Sequence, residues 1–202
     1  YYIFNRLVSL NEVGGDPRRF GASVAAFHRL CRKRAEQWPH TMLATSTHDS
    51  KRSEDARCRI NVLSEMPEEW QRQLTSWSHL NRRHLKTIND LRAPSTNDEY
   101  LLYQTLLAIW PFADQNDSQL ALLRGRIRAY MEKACREAKI QSSWAEPNPA
   151  YEEALSHFID NILAGDSNPF VESFLPFQRM VAGLGMYNSL SQCLLKLSAP
   201  GI

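Results

Sequence analysis

The chain has 202 residues, 43% of them hydrophobic and 23% charged, which suffices for one substantial core or two small ones and is ordinary for a globular protein. A formal net charge of +2 is too small to imply nucleic acid or an anionic membrane as a partner. No run approaches the ~18 apolar residues that a membrane-spanning helix needs. The four cysteines, Cys31, Cys58, Cys135 and Cys193, show no CxxC or Cys/His ligand spacing, so they read as free thiols in a reducing cytoplasm, with no metal or other cofactor implied.

Ile3, Leu7, Val8 and Leu10 recur at roughly helical spacing, and Gly14-Gly15-Asp16-Pro17 ends that element with turn residues. Ser23 is the expected N-cap of a helix running to about Trp38, with Val24, Phe27, Leu30 and Cys31 on its apolar face and His28 one place off it, in solvent. After Pro39 the short, Thr-rich apolar run Thr41–Thr45 reads as a buried strand. A helix capped by Ser53, with Glu54 and Asp55 in its first turn, is expected to end near Met66.

From there the chain reads as helix. Pro67-Glu68-Glu69 opens one carrying Trp70, Leu74, Trp77 and Leu80 on one face. A loop at Ala93–Asn97 precedes a helix over Asp98–Trp110, and Pro111–Asp117 is a second loop. Asp117 or Ser118 is expected to cap a long helix reaching about Ile140, and the polar run from Gln141 to Pro149 interrupts the pattern. A further helix at Ala150–Leu163, a turn at Gly165–Pro169 and two helices within Phe170–Leu197, divided near Gly183 and Gly185, complete the chain. Most of the five tryptophans and seven tyrosines are expected to pack in the core rather than contact carbohydrate. Both ends read as cut from a longer protein.

The stretch that stands apart is Thr47-His48-Asp49. A strand, a turn bearing groups able to do sugar or acid/base chemistry, and a helix make up one β/α unit, and (β/α)₈ barrels display catalytic groups at such turns. One strand cannot close a barrel of eight, which typically needs ~250 residues. The expected fold is therefore mainly α, with one β/α fragment whose strand has no parallel partner in this chain. A His-Asp pair at a helix start is also a common structural cap or surface pair.

Thr45-Ser-Thr-His-Asp49 resembles the fourth conserved region of the α-amylase superfamily. Leu10-Asn-Glu-Val-Gly-Gly-Asp-Pro17, Leu43 to Asp55 and Asn61-Val-Leu-Ser-Glu-Met-Pro67 are similar to maltooligosyltrehalose synthase, a family within it. So are Asn97 to Thr105, Arg136-Glu-Ala-Lys139 with Ser143-Trp144, Asn188 to Gln192, and Leu195 to Gly201. Ser50 stands where that family usually has Thr.

The resemblance implies a piece of an α-amylase-type (β/α)₈ barrel enzyme. Residues 1–66 would hold the seventh strand and the His-Asp turn, 67–168 a helical insertion domain, and 169–202 helices returning to the barrel. It implies an intramolecular transglucosylation that converts the reducing-end α-1,4 linkage of a maltodextrin to an α,α-1,1 linkage. Asp49 would be the catalytic carboxylate that stabilises the transition state, and His48 would bind the same sugar. Lys51 and Arg52 would hold the released glucose unless they are plain surface charges, and Trp144 is a sugar platform or a packing residue. No Gly-x-Arg-x-Asp motif occurs, so nucleophile and general acid would come from the rest of the parent chain, and this piece alone would be inactive. Two alternatives stand beside this reading: a helical interaction domain without catalytic role, and part of an α-amylase-type hydrolase.

Overall fold

A computed structural model of the chain describes residues 1–113, 115–164 and 168–202. Among these, seven α-helices and one two-stranded hairpin occur: α1 (Val24–Gln37), α2 (Glu54–Val62), α3 (Pro67–Asn81), β1 (Lys86–Ile88), β2 (Leu91–Ala93), α4 (Thr96–Ile109), α5 (Asp117–Ala138), α6 (Pro149–Ile162) and α7 (Pro169–Ser198). The expected mainly helical architecture is present. No helix among the described residues is long and apolar enough to cross a membrane.

Helix α4 is the centre of the core. Leu101, Leu102, Leu106 and Leu107 are buried together with Asp98, Glu99, Gln104 and Thr105, so protein surrounds it on most sides. Its side towards α3 and α7 is aromatic. Trp77 lies 5.5 Å from the Tyr103 ring, 5.7 Å from Phe170 and 5.5 Å from Phe174, and its indole N–H donates to Ser173 Oγ at 3.1 Å. Such pairs contribute about 0.5–1.5 kcal/mol each beyond the area they bury. Trp70, Trp77 and Trp110 pack in this core, whereas Trp38 and Trp144 are exposed.

The buried polar groups of α4 fasten its neighbours. Ser95 caps its start, Asp98 accepts from the Tyr151 hydroxyl of α6, and Glu99 accepts from Tyr103 at 2.6 Å and from Arg92 of the hairpin. Gln104 reaches the N-terminal segment, accepting from Val8 N at 2.9 Å and donating to Asn5 O at 2.8 Å. That segment is not the helix its spacing suggests and has only a 3₁₀ turn over Val8–Leu10. Asn11 Nδ2 takes the carbonyls of Tyr1 and Phe4 and Asn5 Nδ2 that of Tyr2, in place of helical amides.

Four further expectations are corrected. The hairpin falls where only a helix end and loop were expected; Asn89 and Asp90 both have positive φ, 49° and 62°, as a tight two-residue hairpin turn requires. The apolar face of α1 is not buried: Val24, Phe27 and Leu30 are exposed. Residues 170–197 form one helix, not two. Glycine there serves close approach, since a Cβ on Gly185 would lie 2.7 Å from Arg59 Cγ and 2.9 Å from Arg59 Cα of α2. The cap of α5 is Asn116, in a reciprocal box with Gln119. The expected turn at Gly165–Pro169 has residues 165–167 outside the described residues, as is Asp114 of the Pro111–Asp117 loop.

Helices α5 and α6 are clamped by Arg136, whose Nε and Nη2 donate to Glu152 at 2.8 and 2.7 Å, with Ser142 Oγ donating to the same carboxylate. The Arg136 fork holds the Glu152 carboxyl below the usual carboxylate range. A carboxyl with a depressed folded-state pKa stabilises the fold above its unfolded value, ~4.3, and loses that contribution as pH falls through the folded value. Glu152→Gln should therefore flatten the acid side of the stability-versus-pH curve, measured by denaturant unfolding between pH 3 and 7. Gly185→Ala should lower the thermal midpoint, because overpacking against backbone costs about 1–3 kcal/mol. Gly183→Ala, whose methyl meets nothing within 4 Å, should not lower it.

Candidate active site: the His48–Asp49 turn

Thr41–Thr45 is not a buried strand. Met42 is 87% exposed, Thr41, Leu43 and Thr45 are half-buried, and no ladder runs through them. A parallel partner is nevertheless present. Leu43 N donates to Ile202 O at 2.7 Å and Ile202 N donates to Thr41 O at 2.8 Å, the two slanted bonds of a parallel bridge centred on Met42 and Ile202. Gly201 makes this approach possible: its φ is +122°, and a Cβ there would sit 2.6 Å from Leu43 Cδ1 and 3.0 Å from Thr41 O. The expectation of a segment without parallel partner is thus corrected to one bridge.

After this segment the chain turns through Thr47–Ser50. Ser50 N donates to Thr47 O at 3.1 Å, and the Ser50 hydroxyl accepts from Thr47 N at 2.8 Å. His48 and Asp49 stand at the tip, with His48 Nε2 3.4 Å from Asp49 Oδ2 and side chains 91% and 61% exposed. Among the described residues neither side chain has a polar partner beyond this pair, so a ligand could be met directly.

Both flanks of the turn are fixed. On the near side Arg57 donates to Thr45 O, and the Thr45 hydroxyl donates to Glu54 Oε1 at 2.7 Å, holding that carboxyl below the usual range. On the far side Glu12 accepts from Lys51 N at 2.9 Å and Arg52 N at 3.3 Å, and its carboxylate lies 3.6 Å from Arg57 Nη1. Arg52 is committed to the protein, donating to Val8 O at 3.1 Å and to the Tyr130 hydroxyl of α5 at 2.8 Å. Lys51 is exposed, its ammonium 5.1 Å above the Tyr1 ring.

The structure therefore groups His48, Asp49, Lys51 and Arg52 on one short segment. Trp144 has other partners: Glu137, which accepts from its indole N–H at 3.1 Å, and Arg136, whose guanidinium lies over its ring at 4.9 Å. Glu12 and Arg57 are the participants that sequence reading left without a role. A cleft of about 450 Å³ between Arg6, Phe20, Trp70 and Tyr100 includes none of the turn residues.

No family model matches the chain. A curated relative, a putative maltooligosyl trehalose synthase of Mycobacterium tuberculosis, is 38% identical over all 202 residues, which cover 24% of its length. The whole chain corresponds to about a quarter of such a synthase. Solved structures agree. A hypothetical maltooligosyl trehalose synthase of Sulfolobus tokodaii superposes with a TM-score of 0.84 at 37% identity, over 100% of this chain and 26% of that one. Maltooligosyltrehalose synthase from Arthrobacter ramosus gives 0.80 at 36%, over 99% and 24%.

If Gly201 is what admits the bridge, Gly201→Ala should deprotect the Leu43 amide in hydrogen exchange while α2–α4 amides keep their protection. Unchanged exchange at Leu43 would contradict the assigned role.

Proposed function

We propose that the protein carrying this chain is a maltooligosyltrehalose synthase, which converts the reducing-end α-1,4 linkage of a maltodextrin into an α,α-1,1 linkage by intramolecular transglucosylation. The observation that carries this reading is the end-to-end similarity, in sequence and in fold, to proteins of that name.

In this reading residues 1–66 belong to an α-amylase-type barrel, residues 67–168 to a helical insertion, and residues 169–202 lead back into the barrel. The bridge between Met42 and Ile202 supports it. Helix α1 precedes one bridged segment and α7 the other, as helices precede neighbouring parallel strands in a β/α barrel. The apolar residues that α1 and the end of α7 leave exposed, among them Val24, Leu30, Leu190 and Leu194, would be covered by the remaining barrel strands and helices. The free state of all four cysteines fits a reducing cytoplasm.

The chemistry is that of a retaining glycosidase, with a carboxylate nucleophile and a carboxylic acid supplied by other parts of the protein. Asp49, with its carboxylate exposed at the tip of the turn beside His48, takes the role of stabilising positive charge at the anomeric centre as the transition state forms. His48 hydrogen-bonds the same sugar. The exposed ammonium of Lys51 is suited to hold the released glucose until its anomeric hydroxyl attacks the glycosyl-enzyme. Arg52, already engaged by Val8 and Tyr130, serves by anchoring the turn, and Trp144 packs on α5. Water must be excluded between the two steps, or the glycosyl group is hydrolysed.

With maltopentaose, the full-length protein should consume reducing ends without releasing a matching amount of glucose, and Asp49→Asn should slow this at least about a hundredfold. A rise in reducing ends would instead mark a hydrolase. The 202-residue chain alone should give no turnover, and turnover by it would contradict the assignment of nucleophile and acid to other segments.

A further inference from the structure

We propose that the Glu12–Arg57 ion pair is a positioning clasp that closes the His48–Asp49 turn from both sides. The inference rests on the transglucosylase reading for its consequence, but on geometry for its existence. The segment has a near side at Thr45 and a far side at Lys51 and Arg52. Arg57 holds the near side through the Thr45 carbonyl. Glu12 holds the far side through the amides of Lys51 and Arg52. The two charged groups face each other at 3.6 Å, with side chains only 16% and 21% exposed, so this partly desolvated pair joins the two flanks, beside the bond from the Thr45 hydroxyl to Glu54.

The rest of the local structure is consistent with this division of labour. The amides of Lys51 and Arg52, just ahead of the Ser53 cap position of α2, lie outside the helix ladder and have Glu12 as their acceptor. Glu12 is itself aimed by the Gly14–Gly15 turn: Gly15 N donates to Glu12 O at 2.9 Å, Gly14 has φ +77°, and a Cβ on Gly15 would lie 3.1 Å from that carbonyl oxygen. Val8 and Tyr130 hold Arg52 and so tie the assembly to α5. Within the turn the fastenings are the weaker ones, three local bonds among Thr47, Asp49 and Ser50. His48 and Asp49 depend on the clasp for their place, because their side chains are largely exposed and have only each other as polar partners among the described residues.

Neither Glu12 nor Arg57 is proposed to touch the sugar. Their effect should reach the reaction through the position of Asp49, and a small misplacement of a catalytic group can cost up to about a hundredfold in rate.

The test uses the full-length protein with Glu12→Gln and Arg57→Lys, each keeping size but weakening the pair, and Arg128→Gln as a control at an exposed ion pair on α5. Three quantities are read: hydrogen exchange of the Lys51 and Arg52 amides, kcat and KM on maltopentaose, and the fraction of turnovers ending as free glucose. The clasp predicts faster exchange at both amides, kcat lower by about tenfold or more with KM little changed, and a larger glucose fraction. The double variant should lose little more than either single one, and the control should match wild type. Unchanged exchange overturns the clasp, as does faster exchange with wild-type kcat and glucose fraction. If the wild-type protein makes no non-reducing product, the function reading fails while the exchange arm still decides the clasp.

Discussion

The contact between Gly185 and Arg59 governs where both halves of this molecule lie. It lets α7 settle onto α2 with backbone-close spacing, and neighbouring bonds set the direction: Ser189 Oγ donates to Asp55, Asn188 Nδ2 donates to Cys58 O, and Gly185 meets Arg59. Rising numbers on α2 meet falling numbers on α7, so the two run antiparallel. The end of α7 therefore travels towards the start of α2, which is where residues 41–52 are. At 1.5 Å per residue a 30-residue helix is about 45 Å long, and only its first part is needed to fill the core. The remainder carries the chain out to Ile202, beside Met42. Arg59 also turns its guanidinium to the carbonyls of Ala108 and Trp110 at the end of α4, where a cation suits the helix dipole. One residue of α2 thus couples the central helix α4 and the crossing helix α7.

That geometry explains a division in the surface. The body formed by α2–α7 buries most of its aromatics and pairs its buried acids, as Glu99 and Glu152 illustrate. The parts around the bridge differ: α1, the end of α7 and residues 41–49 present apolar side chains and the His48–Asp49 pair to the outside. In the proposed reading these are the surfaces that the rest of the barrel would cover.

Much of the helical body was legible in the sequence because its signals are local. Pro67 with Glu68 and Glu69 gives a helix start by chain chemistry alone, and Trp70, Trp77 and Leu101 mark core faces by period. Signals that depend on distant residues misled or were silent. Gly183 and Gly185 suggested a break in a helix, when Gly185 answers to Arg59, far away in sequence. Thr41–Thr45 has the composition of a buried strand, but a parallel strand takes its burial and its hydrogen bonds from neighbours, and one residue at position 202 supplies only a bridge. The Asn89-Asp90 turn was available as a hairpin signal and went unused. At the candidate site, His48 and Asp49 stand out by their types and their neighbours in sequence. Glu12 was not assigned a role because a carboxylate that receives main-chain amides some forty positions away has no local signature.

In the proposed function the His48–Asp49 turn is one part of a transglucosylase site completed by the rest of the protein. The most direct measurement is a crystal structure of the full-length protein with a maltooligosaccharide bound. The account predicts the Asp49 carboxylate within hydrogen-bonding distance of ring hydroxyls at the linkage to be cleaved, with residues 41–45 as a strand flanked in parallel on both sides. A glucan bound elsewhere, with Asp49 still facing bulk water, would contradict it.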